Sequence, residues 1–185
     1  MPIRGRTLRK AAQNFCNHAN RVLNRTVTKT RLLVIDVPPR VQVTFRQGGR
    51  PVEAKLQTRF GPIGLYFGQV CDSVVDQDGL HTLRTIEYKY TLTPAGADEP
   101  LLRWEYVKHL PPGAEWCRHH LQGPVDLEIH RHSVPLDDLH LPTGYVTFEE
   151  VLRFCIVDLG VRPLHRDWSA ILRQSYEQFK AEFVQ

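Results

Sequence analysis

An alternation of apolar and polar side chains with a period of two is the feature that most limits the fold of this sequence. In residues 86–92, apolar side chains stand at every second position, and Glu87, Lys89 and Thr91 fill the positions between them. Because successive side chains of a β-strand point to opposite faces, this alternation predicts a strand with one face in a core and the other in water. Strands are likewise predicted at 31–37, 40–46, 64–75, 80–92, 101–107 and 125–132.

Short turns between these segments indicate that the strands are antiparallel neighbours. Pro38-Pro39 separates the first two segments, and Asp76-Gln77-Asp78-Gly79 separates 64–75 from 80–92. Turns this short join antiparallel strands, whereas parallel strands need a crossover of a dozen or more residues. The sequence therefore predicts a mostly antiparallel sheet, interrupted by an irregular stretch at 111–124.

Helical patterns stand at both ends of the chain. Residues 8–24 carry apolar side chains at alternating steps of four and three, behind Thr7 as N-cap. Thr147-Phe148-Glu149-Glu150 has the pattern of a capping box, Gly160 is placed to end that helix, and a last helix is predicted after Asp167.

Together these patterns predict the α+β class, in which a mostly antiparallel sheet is flanked by an N-terminal basic helix and two C-terminal helices. The 185 residues suit a single domain, 1–185. Within it we expect a basic helical extension at 1–30, the sheet at 31–132 and the closing helices at 147–185.

The net charge of +4 conceals a strongly basic first third. Residues 1–60 hold thirteen Lys or Arg against Asp36 and Glu53, whereas the rest of the chain is net acidic. Phosphate neutralisation by such residues supplies most non-specific affinity for nucleic acid, so RNA, another nucleic acid or an acidic protein is the expected partner. The alternative is a solvated helix face without a partner. The candidate nucleic-acid-binding residues are Arg4, Arg6, Arg9, Lys10, Arg21 and Arg25.

Cysteine spacing and hydropathy predict a cytoplasmic protein. Cys16, Cys71, Cys117 and Cys155 are far apart, which is typical of reduced thiols and would allow a zinc site only through tertiary convergence. No apolar run approaches the length needed to span a bilayer, and no secretory signal pattern begins the chain, so no membrane partner is expected.

Six of the nine histidines fall within the 32 residues from 109 to 140. They are His109, His119, His120, His130, His132 and His140. Histidine exchanges protons near neutral pH and is also the commonest metal ligand, so this histidine cluster is the candidate site. On the strand 101–107, Arg103 and Glu105 share the face opposite the apolar residues, and His109 follows in register.

Three interpretations remain open. In a hydrolase without metal, one histidine deprotonates the nucleophile, another protonates the leaving group, and Arg103 stabilises the negative charge. On RNA the substrate's own 2′-hydroxyl can be the nucleophile. Alternatively, Glu128, His130 and His132, or the adjacent histidines at 119 and 120, bind a divalent metal as cofactor. Thirdly, the histidines are structural, and the protein binds without catalysis.

Three segments resemble the TumE-like toxins of bacterial toxin-antitoxin pairs. They are Glu87-Tyr88-Lys89-Tyr90, Arg103-Trp104-Glu105-Tyr106, and 116–123 with its His119-His120 pair. The second would stand for the Arg-Trp-Asp-Asn element of the family, with Glu replacing Asp and Tyr replacing Asn. Lys108-His109-Leu110 would stand for the family's first His-His element, of which only one histidine remains. The resemblance covers about residues 64–160. It implies a cytosolic bacterial toxin acting on RNA, with a DNA-binding antitoxin as its partner.

The main hypothesis is a toxin or defence effector, a metal-independent ribonuclease that needs no cofactor. Its acid–base residues would be His109, His119 and His120, with Arg103 and Glu105 positioning the substrate or stabilising charge. A non-catalytic subunit that binds nucleic acid or a partner through its basic helix is the first alternative. A metal-dependent hydrolase is the second.

Overall fold

The predicted α+β class is confirmed by the computed structural model, which describes residues 3–114, 116–124, 126–129, 132–135 and 140–183. Three helices are described: α1 (Leu8–Thr26), α2 (Phe148–Val157) and α3 (Trp168–Phe183). The described strands are β1 (Arg4–Gly5), β2 (Leu32–Val37), β3 (Arg40–Gln47), β4 (Arg50–Pro51), β5 (Ala54–Thr58), β6 (Gly61–Val75), β7 (His81–Pro94), β8 (Leu102–Val107), β9 (His119–Gln122), β10 (Asp126–Ile129), β11 (His132–Pro135) and β12 (Leu141–Pro142).

One large antiparallel sheet organises the described part of the chain. Its strands follow the order β12-β9-β8-β7-β6-β3-β2, and the short strands β1, β4 and β5 pair with β7, β3 and β6. The long β6–β7 hairpin, closed by the predicted turn at Asp76–Gly79, is its centre. A register shift between Val70 and Cys71 marks a bulge in this hairpin.

The two faces of the sheet differ in character. On the helix-covered face, Phe67 packs against Phe45, Tyr90 and the α2 residue Phe148, with ring centroids 5.2 to 6.4 Å apart. The buried side of α1 belongs to the same hydrophobic cluster. The opposite face, which we call the polar face, carries Arg40, Lys89, Arg103, Glu105, His120 and Gln122. The period-two pattern therefore separates core from polar side chains as expected.

All three predicted helix starts are confirmed, since α3 begins at Trp168, directly after Asp167, and α1 and α2 begin at their predicted N-caps. The side chain of Thr7 accepts a hydrogen bond from the amide of Lys10 at 3.1 Å. Both halves of the capping box between Thr147 and Glu150 are present. Gly160 has a φ of 73°, a left-handed conformation that glycine adopts without strain, and it follows the end of α2.

Two element predictions are wrong. The stretch 111–124 is not wholly irregular, because β9 lies in it and pairs with both β8 and β12. The segment 125–132 is not one strand of the main sheet, because β10 and β11 form a separate hairpin. Neither segment has a long run of alternating apolar residues, so packing and pairing decide its structure.

Among the described residues, no helix combines the length and the apolar character needed to cross a membrane. Cys16, Cys71 and Cys155 are buried free thiols. Burial raises the pKa of Cys16 to about 11 and the pKa of Cys71 and Cys155 to about 12, so these thiols stay protonated.

Candidate active site on the polar face of the sheet

The register of three neighbouring strands places Lys89, Glu105 and His120 in one row across the polar face. Glu105 of β8 pairs with Lys89 of β7 on one side and with His120 of β9 on the other. The ammonium of Lys89 lies 2.8 Å from Oε1 of Glu105, and Oε2 of Glu105 lies 3.4 Å from Nε2 of His120. One carboxylate therefore bridges an ammonium and an imidazole.

The ring of His120 is fixed from both sides and is only 2% exposed. Its Nδ1 lies 2.9 Å from the carbonyl oxygen of Cys117, and because a carbonyl only accepts, Nδ1 carries a proton. Its Nε2 faces Oε2 of Glu105, so a proton on Nε2 would be shared between the two side chains. The rings of Trp116 and His140 pack edge-on against His120, with centroids 5.0 and 4.8 Å away.

Glu105 is the part of this row that reaches solvent, with its side chain 20% exposed. Burial acts to raise its pKa, but the hydrogen bond and charge of Lys89 and the charges of Arg103 and His120 outweigh burial and lower it. The carboxylate is therefore ionised at neutral pH and carries the negative charge that the surrounding cations balance.

His140 adds a second imidazole to the polar face. Its ring stacks on Trp116 at a centroid distance of 5.3 Å. The side-chain amide nitrogen of Gln122 lies 3.3 Å from Nε2 of His140. Burial, the charge of His120 and the charge of Arg103 lower the pKa of His140, against the opposing effect of Glu105. This ring is therefore neutral at neutral pH and can accept a proton.

Arg103 belongs to the same cluster. It is paired in register with Gln122 and stands two residues before Glu105 on β8, so both side chains are on the polar face. Its positive charge contributes to the lowered pKa of both Glu105 and His140. We call Lys89, Arg103, Glu105, His120 and His140 the polar-face cluster.

His119 lies on the helix-covered face, away from the polar-face cluster, so the expectation that it acts beside His120 is wrong. Adjacent residues of β9 necessarily point to opposite faces. The ring of His119 stacks on Tyr106 at 4.3 Å, and the hydroxyl of Tyr88 lies 3.3 Å from its Nδ1. Burial, followed by the charges of His120 and Arg118, lowers the pKa of His119, which suits a neutral ring that accepts this hydrogen bond.

His109 is exposed in the bend after β8, and the described contacts do not bring it to the cluster. The grouping of Glu128, His130 and His132 on one strand is wrong: β10 pairs Glu128 with Ser133, β11 pairs His132 with Ile129, and His130 lies outside the described residues. Within the described ranges, no group of three or more His, Cys, Asp or Glu side chains is arranged to hold a metal ion.

The basic N-terminal residues lie along β1 and α1. Arg4 is 3.3 Å from Asp76, and Arg9 forms an ion pair with Asp36, so two of the six candidates are compensated by acidic side chains. Arg6, Lys10, Arg21 and Arg25 are exposed. Since α1 covers the sheet face opposite the polar-face cluster, the predicted phosphate-binding helix and this cluster lie on different sides of the molecule.

The sequence did not single out Lys89, Trp116 or His140 as site residues. Lys89 stands on the polar side of the most regular strand, so the face of its side chain was predictable from the sequence. Its pairing with Glu105 on the neighbouring strand was not. His140 was counted in the histidine cluster without a role, because its contact with His120 depends on the pairing of β12 with β9.

Comparisons of this chain with protein-family models, with curated proteins and with solved structures gave no match.

Proposed function

We propose that this protein is a metal-independent ribonuclease, acting in the cytoplasm as a toxin or defence effector. The observation that carries this proposal is the polar-face cluster, in which a carboxylate, two imidazoles, an ammonium and a guanidinium meet on one face of the sheet. General acid–base cleavage of a phosphodiester requires one group that accepts a proton, one that donates a proton, and cations that stabilise the phosphate. His140, the His120–Glu105 pair, and the cations Lys89 and Arg103 would fill these roles.

In the proposed reaction, the RNA 2′-hydroxyl replaces the amide of Gln122 at Nε2 of His140, this nitrogen takes the hydroxyl proton, and the resulting oxygen attacks the adjacent phosphorus. A proton shared between Nε2 of His120 and Oε2 of Glu105 passes through Glu105, the solvent-facing member of the pair, to the departing 5′-oxygen, so Glu105 is protonated only transiently. Lys89 and Arg103 stabilise the negative charge that develops on the phosphate oxygens. The products are a 2′,3′-cyclic phosphate and a 5′-hydroxyl, and no metal enters the reaction.

The resemblance to TumE-like toxins supports the same proposal. The element Arg103-Trp104-Glu105-Tyr106 lies within β8. Its Arg and Glu belong to the polar-face cluster, while Trp104 packs on Phe154 and Tyr106 on His119. Because side chains two residues apart on a strand share a face, this spacing places the guanidinium of Arg103 and the carboxylate of Glu105 on the same side. A cognate antitoxin, or another acidic protein partner, belongs to this proposal.

Cleavage of a fluorogenic single-stranded RNA by the purified protein tests the proposal. We expect cleavage that survives EDTA, and a fall in kcat of about 10² to 10⁴ in both His140→Gln and Glu105→Gln, because each variant removes one proton-transfer group. His109→Gln is the matched control, since it changes an exposed histidine outside the cluster in the same way.

Equal activity of the His140 and Glu105 variants and the control would remove the acid–base assignment. Cleavage that EDTA abolishes would instead support the metal-dependent hydrolase. Circular dichroism of each variant separates lost chemistry from lost folding.

A specific feature also favours the non-catalytic alternative, in which the basic helix binds nucleic acid. A groove of about 390 Å³ runs between α1 and α3, and Arg21 and Arg25 line it together with the amide side chains of Asn24, Gln174 and Gln178. Guanidinium and amide donors in one groove suit the phosphate oxygens of a nucleic-acid backbone.

Salt-dependent RNA binding tests this groove. Arg21→Glu and Arg25→Glu should each weaken binding and reduce the slope of log K against log salt by about one, because each removes one phosphate contact. Arg50→Glu makes the same charge change on an exposed strand residue outside the groove. An equal loss of affinity in the control would show that only net charge matters.

A further inference from the structure

A cavity of about 440 Å³ lies between β7, β8 and α3, on the side of the sheet opposite the polar-face cluster. This volume is within the range of small-molecule sites, which is roughly 300 to 1,000 Å³. Four aromatic rings and two cations line it: Tyr106, Tyr145, Tyr176, Phe179, Arg84 and Lys180. None of these residues belongs to the polar-face cluster.

The aromatic walls are held in place before any ligand binds. Tyr145 stacks on Phe179 with ring centroids 5.5 Å apart, and Tyr106 stacks on His119 at 4.3 Å. Behind them, the hydroxyl of Tyr88 is within hydrogen-bond distance of His119. Rings fixed in this way offer flat apolar surfaces that lose little conformational entropy when a planar ligand stacks on them.

Charge decides which planar ligand suits the cavity. An aromatic cage alone would also accept a quaternary ammonium. Here, however, the ammonium of Lys180 lies 4.6 Å from the centre of the Tyr176 ring, and it repels a cation. Arg84 is already paired with Asp72, so Lys180 is the cation that an anionic group of the ligand would meet.

We propose that this cavity binds a nucleobase with an attached phosphate, from a free nucleotide or from a single-stranded nucleic acid. The base stacks on the aromatic walls, and Lys180 pairs with the phosphate. Stacking on aromatic side chains accepts any base, because every base has a π-face. This inference does not depend on the proposed cleavage, since the polar-face cluster lies on the opposite face of the sheet.

Calorimetric titration of the full chain with AMP, adenosine and the DNA hexamer d(A)6 tests the proposal. DNA has no 2′-hydroxyl, so binding is measured whether or not the protein cleaves RNA. Tyr176→Leu should weaken AMP about tenfold, because it removes one stacking wall. Lys180→Gln should weaken AMP but leave adenosine unchanged, since adenosine has no phosphate.

Phe60→Leu is the matched control, because Phe60 is 72% exposed and has Arg59 over its ring at 4.7 Å, outside the cavity. Tighter binding of AMP than of d(A)6 assigns the site to a free nucleotide, and the reverse assigns it to a strand. Failure of both to bind would overturn the proposal. So would equal effects of Tyr176→Leu and Phe60→Leu, or tighter binding of tetramethylammonium than of AMP.

Discussion

The neutral imidazole of His119 contacts the rings of Tyr88, Tyr106 and Tyr145, which together with it form an aromatic cluster. The amide of Val146 donates to the hydroxyl oxygen of Tyr88 at 3.0 Å, which leaves the Tyr88 proton for Nδ1 of His119. Burial raises the pKa of Tyr88 to about 12, so the phenol keeps this proton. Burial also lowers the pKa of His119, and both groups therefore stay neutral and complementary.

The lowered pKa of His119 predicts a loss of stability in mild acid. The unfolded chain takes up a proton on this ring near pH 6.5, while the folded state does so only at lower pH. The unfolded state thus binds more protons in this window, so the free energy of unfolding falls as the pH drops below about 6.5. His119→Phe keeps an aromatic ring against Tyr106 and should decline less between pH 7.5 and 5.5 in urea titrations.

His109→Gln serves as the control, because its exposed side chain lies outside the aromatic cluster. It should retain the full acid sensitivity of the native protein. A decline in His119→Phe as large as in the native protein would show that the acid sensitivity arises elsewhere.

At the scale of the element, α2 begins with a closed hydrogen-bond ring at its first turn. The hydroxyl of Thr147 accepts from the amide of Glu150 at 3.2 Å, and the amide of Thr147 donates to Oε2 of Glu150 at 2.7 Å. These bonds satisfy amide groups that a helix start leaves without intrahelical partners. They also fix where Phe148 enters the core.

Removing this cap should destabilise the protein. Thr147→Ala should lower the free energy of unfolding by about 1 kcal/mol, because it removes the side-chain acceptor, whereas Thr147→Ser should retain most of it. Thr143→Ala is the control, since the hydroxyl of Thr143 has no hydrogen-bond partner among the described residues. Chemical denaturation measures all three. A serine variant as unstable as the alanine variant would show that the methyl group, not the hydroxyl, stabilises the helix start.

At the scale of the whole molecule, one buried polar chain joins the three helices. Ser175 of α3 donates to Oε1 of Glu149 in α2, and Nε2 of His18 in α1 lies 2.8 Å from the same hydroxyl. Burial raises the pKa of Glu149 despite the opposing hydrogen bond from Ser175. Helices from the two ends of the chain are therefore connected through one serine.

Loss of this serine hydroxyl should destabilise the folded protein. Ser175→Ala leaves a buried carboxyl and an imidazole without their shared partner, and we expect the free energy of unfolding to fall by about 1 to 3 kcal/mol. Ser169→Ala changes an exposed serine of the same helix and is the matched control. Urea unfolding at pH 7 compares the two. Equal stability of both variants would show that the buried chain adds no net stability.

Local patterns allowed much of the architecture to be predicted. Alternation assigned the faces of β7 and β8, and it placed Arg103 and Glu105 on one side without reference to the rest of the fold. Helix starts at Thr7 and Thr147 were readable because a cap depends on residues three positions apart. By the same rule His119 and His120 face opposite ways, but this could be applied only once β9 was known to be a strand.

What the sequence by itself determined, then, is what depends on neighbours two to four residues apart: strands, helix ends and the face of each side chain. Only the tertiary structure decided which strands lie side by side. It brought Glu105 between Lys89 and His120, and it brought His140 onto His120. The physical reason is that strand pairing is selected by packing and hydrogen bonding between distant segments, and these energies exist only in the folded chain.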